Sequence, residues 1–250
     1  ITIHKDVDSD GNGQVDETNV TDWTWDIDGQ GDFATGDSGQ GVAAGSYTVS
    51  EDQKAGFHVT SVVCNNGQSY SPSERIDVSV EPGENLICAF TNTRDTGSIT
   101  IIKNIDNNGD GDTTDEGDVQ GATDWTWDIT NGDQNIATGQ TKTLPTGTYT
   151  ISEDQKNSYI LLGWTCSNEQ SGTTNSIEIN VTNGSQITCT FTNQLVPPVL
   201  SLTKTNNKLG IDVSAGADVL YTLTVILTGS ALTNVFVTDL PPAGFKYRSG

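Results

Sequence analysis

Apolar and polar residues alternate along most of this chain in short runs of four to eight, the period of half-buried β-strands rather than helices. Side chains i, i+2 and i+4 of a strand share a face. Ile1, Ile3 and Lys5 therefore line up, as do Tyr47, Val49 and Glu51, and Cys88, Phe90 and Asn92. Trp23, Trp25 and Ile27 alternate with polar residues in the same way. Clusters of Gly, Asn and Asp separate the runs, as turns between strands require. The pattern predicts an all-β protein.

The pattern then repeats. ITIHK at Ile1 returns as ITIIK at Ile99, DWTWDI at Asp22 as the same six residues at Asp124, and SEDQK at Ser50 as SEDQK at Ser152. CAFTN at Cys88 becomes CTFTN at Cys189. Two homologous units of ordinary domain size follow each other, predicted as β-sandwiches over residues 1–95 and 96–196. Residues 197–250 form a third segment after Val196-Pro-Pro-Val, with further strands expected in LSLTKT, VLYTLTVIL and ALTNVFVTDLPPAGF. They amount to about half the strands a sandwich needs. A neighbouring chain or further residues of the same protein would supply the rest, an exposed strand edge being a template for such completion.

Charge changes the picture by where it sits. The 250 residues hold 33 Asp+Glu against 11 Lys+Arg, a formal charge of −22. That excludes a nucleic-acid binder, whose affinity rests on Lys and Arg neutralising phosphates, and a protein held on anionic lipid. No apolar run is long enough to span a bilayer, and neither a signal peptide nor an initiator Met opens the sequence. The chain is therefore expected to be the internal or mature part of a longer secreted product. From residue 199 onward three acids face four bases, so the acidity belongs to the repeats. Six acids fall between Asp6 and Asp22 and seven between Asp106 and Asp124.

Those two loops carry candidate metal ligands. Asp8, Asp10, Asn12, Gln14 and Asp16 occupy the first, third, fifth, seventh and ninth positions of an EF-hand-type loop, with the turn glycine Gly13 at the sixth. The second unit offers Asp106, Asn108, Asp110, Gly111 and Asp112, with Asp115 beyond. Calcium takes six to eight hard oxygens, and crowded carboxylates repel unless a cation sits among them. Neither loop has the bidentate Glu at the twelfth position, where Asn19 and Gly117 stand, so Glu17, or Glu116 and Asp118, would have to complete the shell. Calcium is the expected cofactor; a solvated Asp/Asn/Gly turn is the alternative.

Each unit has two Cys, Cys64 with Cys88 and Cys166 with Cys189. One pair per unit at matched positions, with no CxxC and no His nearby, predicts an intradomain disulfide in each and an oxidising compartment.

Lys5, Glu51 and Asn92 each continue a core-facing row, and Lys103, Glu153 and Asn193 repeat the arrangement. Burial pushes a Lys towards the neutral amine and a Glu towards the neutral acid, and such an amine beside a carboxamide is set up for nucleophilic attack. An ion pair of Lys and Glu, with Asn as a turn residue, is the other reading of the same residues. The opening ITIxK, the central GxYTVSED or GTYTISED and the closing CxFTN resemble the prealbumin-like, Cna B-type or SpaA-type domains of bacterial surface proteins and pili. The resemblance covers nearly all of residues 1–195. It implies an intramolecular isopeptide bond between a first-strand Lys and a last-strand Asn, promoted by a Glu on a middle strand. By position these are Lys5–Asn92 with Glu51 and Lys103–Asn193 with Glu153. The third segment resembles the start of another bacterial surface repeat through LxLTKTNN, VSAGADVLYTLTV and TNVFVTDLPPAGF. That implies a partial immunoglobulin-like sandwich, although Leu227-Thr-Gly replaces the usual Asn-x-Gly.

Remaining signals are weaker. The Trp pairs would make sugar platforms only if exposed, and their alternation favours the core. Leu144-Pro-Thr-Gly reads as a turn before a strand, and Asn19, Asn180 and Asn183 fit the N-x-[ST] acceptor pattern. His4 and His58 have no partner constellation, so an enzyme is not expected. The expected whole is a segment of an extracellular bacterial surface stalk or polymeric fibre, self-associating or joined to neighbouring domains of its own chain. An adhesin for a glycan or host ligand is the alternative.

Overall fold

The computed structural model describes residues 1–36 and 40–248 and contains no helix among them. The first repeat contributes eight strands: β1 (Thr2–Asp8), β2 (Thr24–Ile27), β3 (Gln30–Ala34), β4 (Gly45–Glu51), β5 (Phe57–Cys64), β6 (Ser69–Tyr70), β7 (Arg75–Val80) and β8 (Ile87–Arg94). They form two sheets, ordered β1-β8-β5-β6 and β3-β2-β4-β7. Alternation decides which faces meet: β7 reads exposed-buried throughout, with Ile76, Val78 and Val80 inward. Ile3, Trp25, Val49, Val62, Cys88 and Phe90 join them in one core between the sheets.

The second repeat has ten strands: β9 (Thr96–Asp106), β10 (Val119–Gln120), β11 (Thr126–Ile129), β12 (Ile136–Ala137), β13 (Thr141–Pro145), β14 (Gly147–Glu153), β15 (Tyr159–Cys166), β16 (Ser171–Gly172), β17 (Ser176–Val181) and β18 (Gln186–Leu195). Its sheets run β10-β9-β18-β15-β16, with β13 also on β9, and β12-β11-β14-β17. Leu144 and Pro145, expected in a turn, instead end β13 and pair with Gly97 and Thr96. Tandem all-β sandwiches are thus present as the strand pattern predicts.

Two features of topology place the candidate site. The first and last strands of each repeat lie side by side and parallel, with Lys5 opposite Phe90 and Lys103 opposite Phe191. Asn92 and Asn193 fall two residues further on the same face. The next strand bulges at the same place in both repeats, between Val59 and Ser61 and between Leu161 and Gly163.

The third segment forms one antiparallel pair, β19 (Val199–Asn206) with β20 (Tyr221–Thr228). Ala231–Phe245, expected to carry a strand, forms none. No other described strand pairs with it, and Pro241 and Pro242 lack the N–H groups a ladder needs.

Candidate functional site

In each repeat the Lys and Asn come from one sheet and the Glu from the other, so the three side chains meet in the interior. Lys5, Asn92, Lys103 and Asn193 are fully buried (0% exposed). Lys5 Nζ donates to Glu51 Oε2 (2.6 Å) and Asn92 Nδ2 donates to Glu51 Oε1 (2.5 Å). Lys103 Nζ donates to Glu153 Oε1 and Asn193 Nδ2 to Glu153 Oε2 (2.9 Å), with Gln155 adding a further bond to that oxygen (2.8 Å). One carboxylate therefore bridges an amine and a carboxamide nitrogen, twice.

Burial makes both amines easier to deprotonate than an ordinary lysine. Burial pushes Lys5 down to about 8, against the opposing attraction and hydrogen bond of Glu51. Lys103 falls to about 8 for the same reason, opposed by Glu153. Glu51 is raised, by burial first, with Lys5 and Asn92 resisting. Asn92 Oδ1 and Asn193 Oδ1 are buried and accept no hydrogen bond. Turning either amide over would set its oxygen against a carboxylate, so the nitrogen faces the Glu and the carbonyl oxygen is left unpaired.

Aromatic rings close the site. Lys5 Nζ lies 4.2 Å from the centroid of the Trp23 ring and Lys103 Nζ 4.2 Å from that of Trp125. Trp23, Trp25, Trp125 and Trp127 are all buried, so none of them offers a sugar platform.

The sequence left a second lysine unnoticed. Lys54 Nζ lies 4.7 Å from the Trp23 centroid and Lys156 Nζ 4.9 Å from that of Trp125. Each is held by the acid preceding the Trp, Lys54 by Asp22 (2.6 Å) and Lys156 by Asp124 (2.5 Å). The repetition of Asp-Trp and of SEDQK in both units was the signal for it. His58, without an evident partner in the sequence, pairs with Asp95 (2.6 Å) at the end of the first repeat.

Both disulfides form as the spacing predicts. Cys64–Cys88 and Cys166–Cys189 each join directly opposed residues of neighbouring strands.

The acidic loops leave β1 and β9. Val7 and Glu17 bridge the base of the first, which brings oxygens of Asp8, Asp10 and Asp16 within 4.8 Å of one another. Asp8 is buried and accepts N–H groups of Gly11 (2.8 Å), Asn12 (3.1 Å) and Gly13 (2.7 Å). Burial raises its carboxyl, but these bonds outweigh it and hold the group below its ordinary range. Asn12 Oδ1 accepts the Gln14 N–H (2.8 Å). Asp10 accepts from Asn12 and Asp16 from Ser9, so the three acids already serve the loop's own N–H groups, yet their convergence is a donor set of the type calcium takes. In the second loop buried Asp106 likewise accepts Gly109 and Gly111 N–H groups. There Asn108 bonds Asp115 (3.0 Å), Asp110 accepts the Asp112 N–H (2.8 Å), and Asp112 turns to Thr114 (2.8 Å). Sharing a hydrogen bond with Asp118 pushes Asp115 up to about 6, while Asn108 resists.

The decisive comparison covers both repeats: a family model described as a prealbumin-like fold domain matches residues 1–90 and again 95–191. The chain belongs to the prealbumin-like fold family. No curated protein matches it. Among solved structures, the two prealbumin-like domains and their flank resemble the Bacillus anthracis TIE protein at 18% identity and TM-score 0.41, over 91% of this chain and 43% of that one. The chain thus spans less than half of that protein. The major pilin of Streptococcus pyogenes is similar at 15% identity and TM-score 0.36, over 78% of this chain and 98% of that one. A streptococcal ancillary pilin follows at 17% and 0.27, over 75% and 61%.

Proposed function

We propose that this chain is a load-bearing segment of an extracellular bacterial surface stalk or fibre, each prealbumin-like domain being closed by a Lys–Asn isopeptide bond. The observation that carries this reading is the buried Glu bridging Lys Nζ and Asn Nδ2 in both domains. Neutral Lys5 Nζ attacks Asn92 Cγ, Glu51 moves a proton from the attacking nitrogen to Nδ2, the Cγ–Nδ2 bond breaks and ammonia leaves. The products are one secondary amide and one ammonia, with no oxidant or cofactor. Lys103, Asn193 and Glu153 do the same in the second domain.

The topology supports this role. Load enters a domain at its first strand and leaves at its last, and β1 and β8 are parallel neighbours, so pulling shears them apart. A covalent link from Lys5 to Asn92 carries the force past the rest of the domain. The disulfides stiffen the same sheet and suit an oxidising compartment such as the cell surface. Calcium held by Asp8, Asp10 and Asp16 would neutralise the crowded carboxylates of the first loop; in the second, Asp106 takes the place of Asp8, Asn108 and Thr114 stand where Asp10 and Asp16 do, and Asp110 and Asp115 would supply the remaining charge. Self-association into a fibre and contact with neighbouring domains of the same protein are the partners this role requires. Among the described residues no helix is long and apolar enough to cross a membrane.

Single-molecule pulling from both termini tests the role. With disulfides intact, neither cross-linked domain should lengthen before the tethers fail. Release of roughly 200 Å per domain, the extended reach of the residues freed between Lys5 and Asn92 outside the disulfide loop, would overturn it.

A further inference from the structure

We propose that Lys54 and Lys156 are positioning residues for the cross-link: each places a second cation on the indole that covers the reacting lysine, and so adds to burial in favouring the neutral amine of that lysine. The inference rests on the isopeptide reading above and goes beyond it, since neither lysine touches the reacting atoms.

Three observations converge in both domains. A buried and a partly exposed lysine lie over one Trp ring, at 4.2 and 4.7 Å from its centroid in the first domain and 4.2 and 4.9 Å in the second. The two ammonium nitrogens of a domain are thus no more than about 9 Å apart, within reach of one another across the indole, with solvent screening on the outer lysine's side. The outer lysine does not wander, because Asp22 or Asp124, the residue immediately before the Trp, anchors it. Phe57 and Tyr159 meet the indoles edge-on at 5.6 and 5.2 Å and fix their tilt.

The charges facing Lys5 are Glu51 from the opposite sheet, its neighbour Asp6, and Lys54 from the turn after β4. Of these only Lys54 favours the neutral amine, its charge offset in part by its exposed partner Asp22, while both acids favour the ammonium. Lys156 holds the same position towards Lys103, opposed by Glu153. An amine that titrates near neutral pH gains nucleophilic fraction with every lowering of its pKa, about tenfold per unit until it is mostly neutral.

The test follows formation of the bond in freshly synthesised chain under oxidising conditions. Samples are quenched in acid over a range of pH and digested, and the Lys5–Asn92 and Lys103–Asn193 peptides are quantified by mass. Lys54→Gln is expected to slow the first bond severalfold near pH 7 while leaving the alkaline plateau unchanged, so that its rate profile moves to higher pH; Lys54→Arg should restore the native profile. Lys156→Gln should do the same to the second bond alone, and it serves as an independent variant if Lys54→Gln fails to fold. Native profiles for the Gln variants would overturn the inference and leave the cross-link standing. A Lys54→Gln rate lowered by the same factor at every pH would also overturn it, since that is the mark of a purely structural role. Absence of both linked peptides from the unmodified chain at every pH would remove the cross-link reading itself, and this inference with it.

Discussion

Replacing Glu51 by Gln keeps the size and planarity of the side chain and removes its charge. Lys5 would then lie fully buried beside two amides and a Trp ring, without an anion. It would also lack the proton carrier for bond formation. Two losses follow, and they respond differently to pH. Closing the chain between Lys5 and Asn92 across the existing disulfide stabilises the native domain by ~4 kcal/mol on a loop-entropy basis, whatever the pH. Deprotonating the stranded lysine on folding costs up to about 5 kcal/mol at pH 7, because a free lysine ionises near 10.4 and each pH unit is worth about 1.4 kcal/mol. Here the unfolded chain binds one more proton than the folded one, so stability rises with pH until the free-lysine pKa is reached. Urea unfolding of the Glu51→Gln protein with disulfides intact, followed by Trp fluorescence, should show its weaker domain recovering about 3 kcal/mol between pH 7 and pH 9. The native domain, in which the proposed bond makes the Lys5 nitrogen an amide that does not titrate, should lack that recovery. Equal stability of the two proteins at both pH values would refute the burial and the pairing assigned to Lys5.

Other outcomes follow from the same geometry. Breaking Cys64–Cys88 by Cys64→Ser with Cys88→Ser should cost the first domain ~3.5 kcal/mol, read as a lower urea midpoint, with the second domain unaffected. Gly11→Ala forces a Cβ to within 2.7 Å of Thr96 Cγ2 at a φ of +76°, whereas Gly13→Ala at +88° meets nothing within 4 Å. The first should therefore destabilise by ~1–3 kcal/mol more than the second in paired urea curves. Calcium at about a hundredfold excess over its dissociation constant should raise stability by ~2.7 kcal/mol in a calorimetric melt. Asp8→Ala should abolish the first loop's share, and a melt indifferent to both calcium and chelator would remove calcium from the proposal.

Much of this site could be read from alternation alone. Lys5, Glu51 and Asn92 each sit two residues beyond an apolar residue of their own strand, so once those rows face the core the three polar groups must follow them inside. The cysteines were legible for another reason, one pair standing at matched positions in each repeat with no metal-binding spacing and no His nearby. What strand periodicity does not carry is proximity between separate turns. Asp22 and Lys54 are 32 residues apart, and they meet because the turn after β4 folds back over the entry to β2. His58 and Asp95, 37 apart, meet through the β5–β8 pairing. Ligand spacing also says little about how far short acids satisfy themselves. Asp112 lies at a plausible ligand position yet closes a local turn onto Thr114. The expected strand in Ala231–Phe245 had the right residues but, among the described ones, no partner to ladder with.

The most direct measurement is the intact mass of the protein after its two disulfides are reduced and the chain is denatured. Two isopeptide bonds require a mass lower than that of the sequence by two molecules of ammonia, with one of them restored by Glu51→Ala and both by Glu51→Ala with Glu153→Ala once the substitutions are allowed for. A native chain at the full mass of its sequence would contradict the cross-linked domains outright and leave two buried ion pairs in their place.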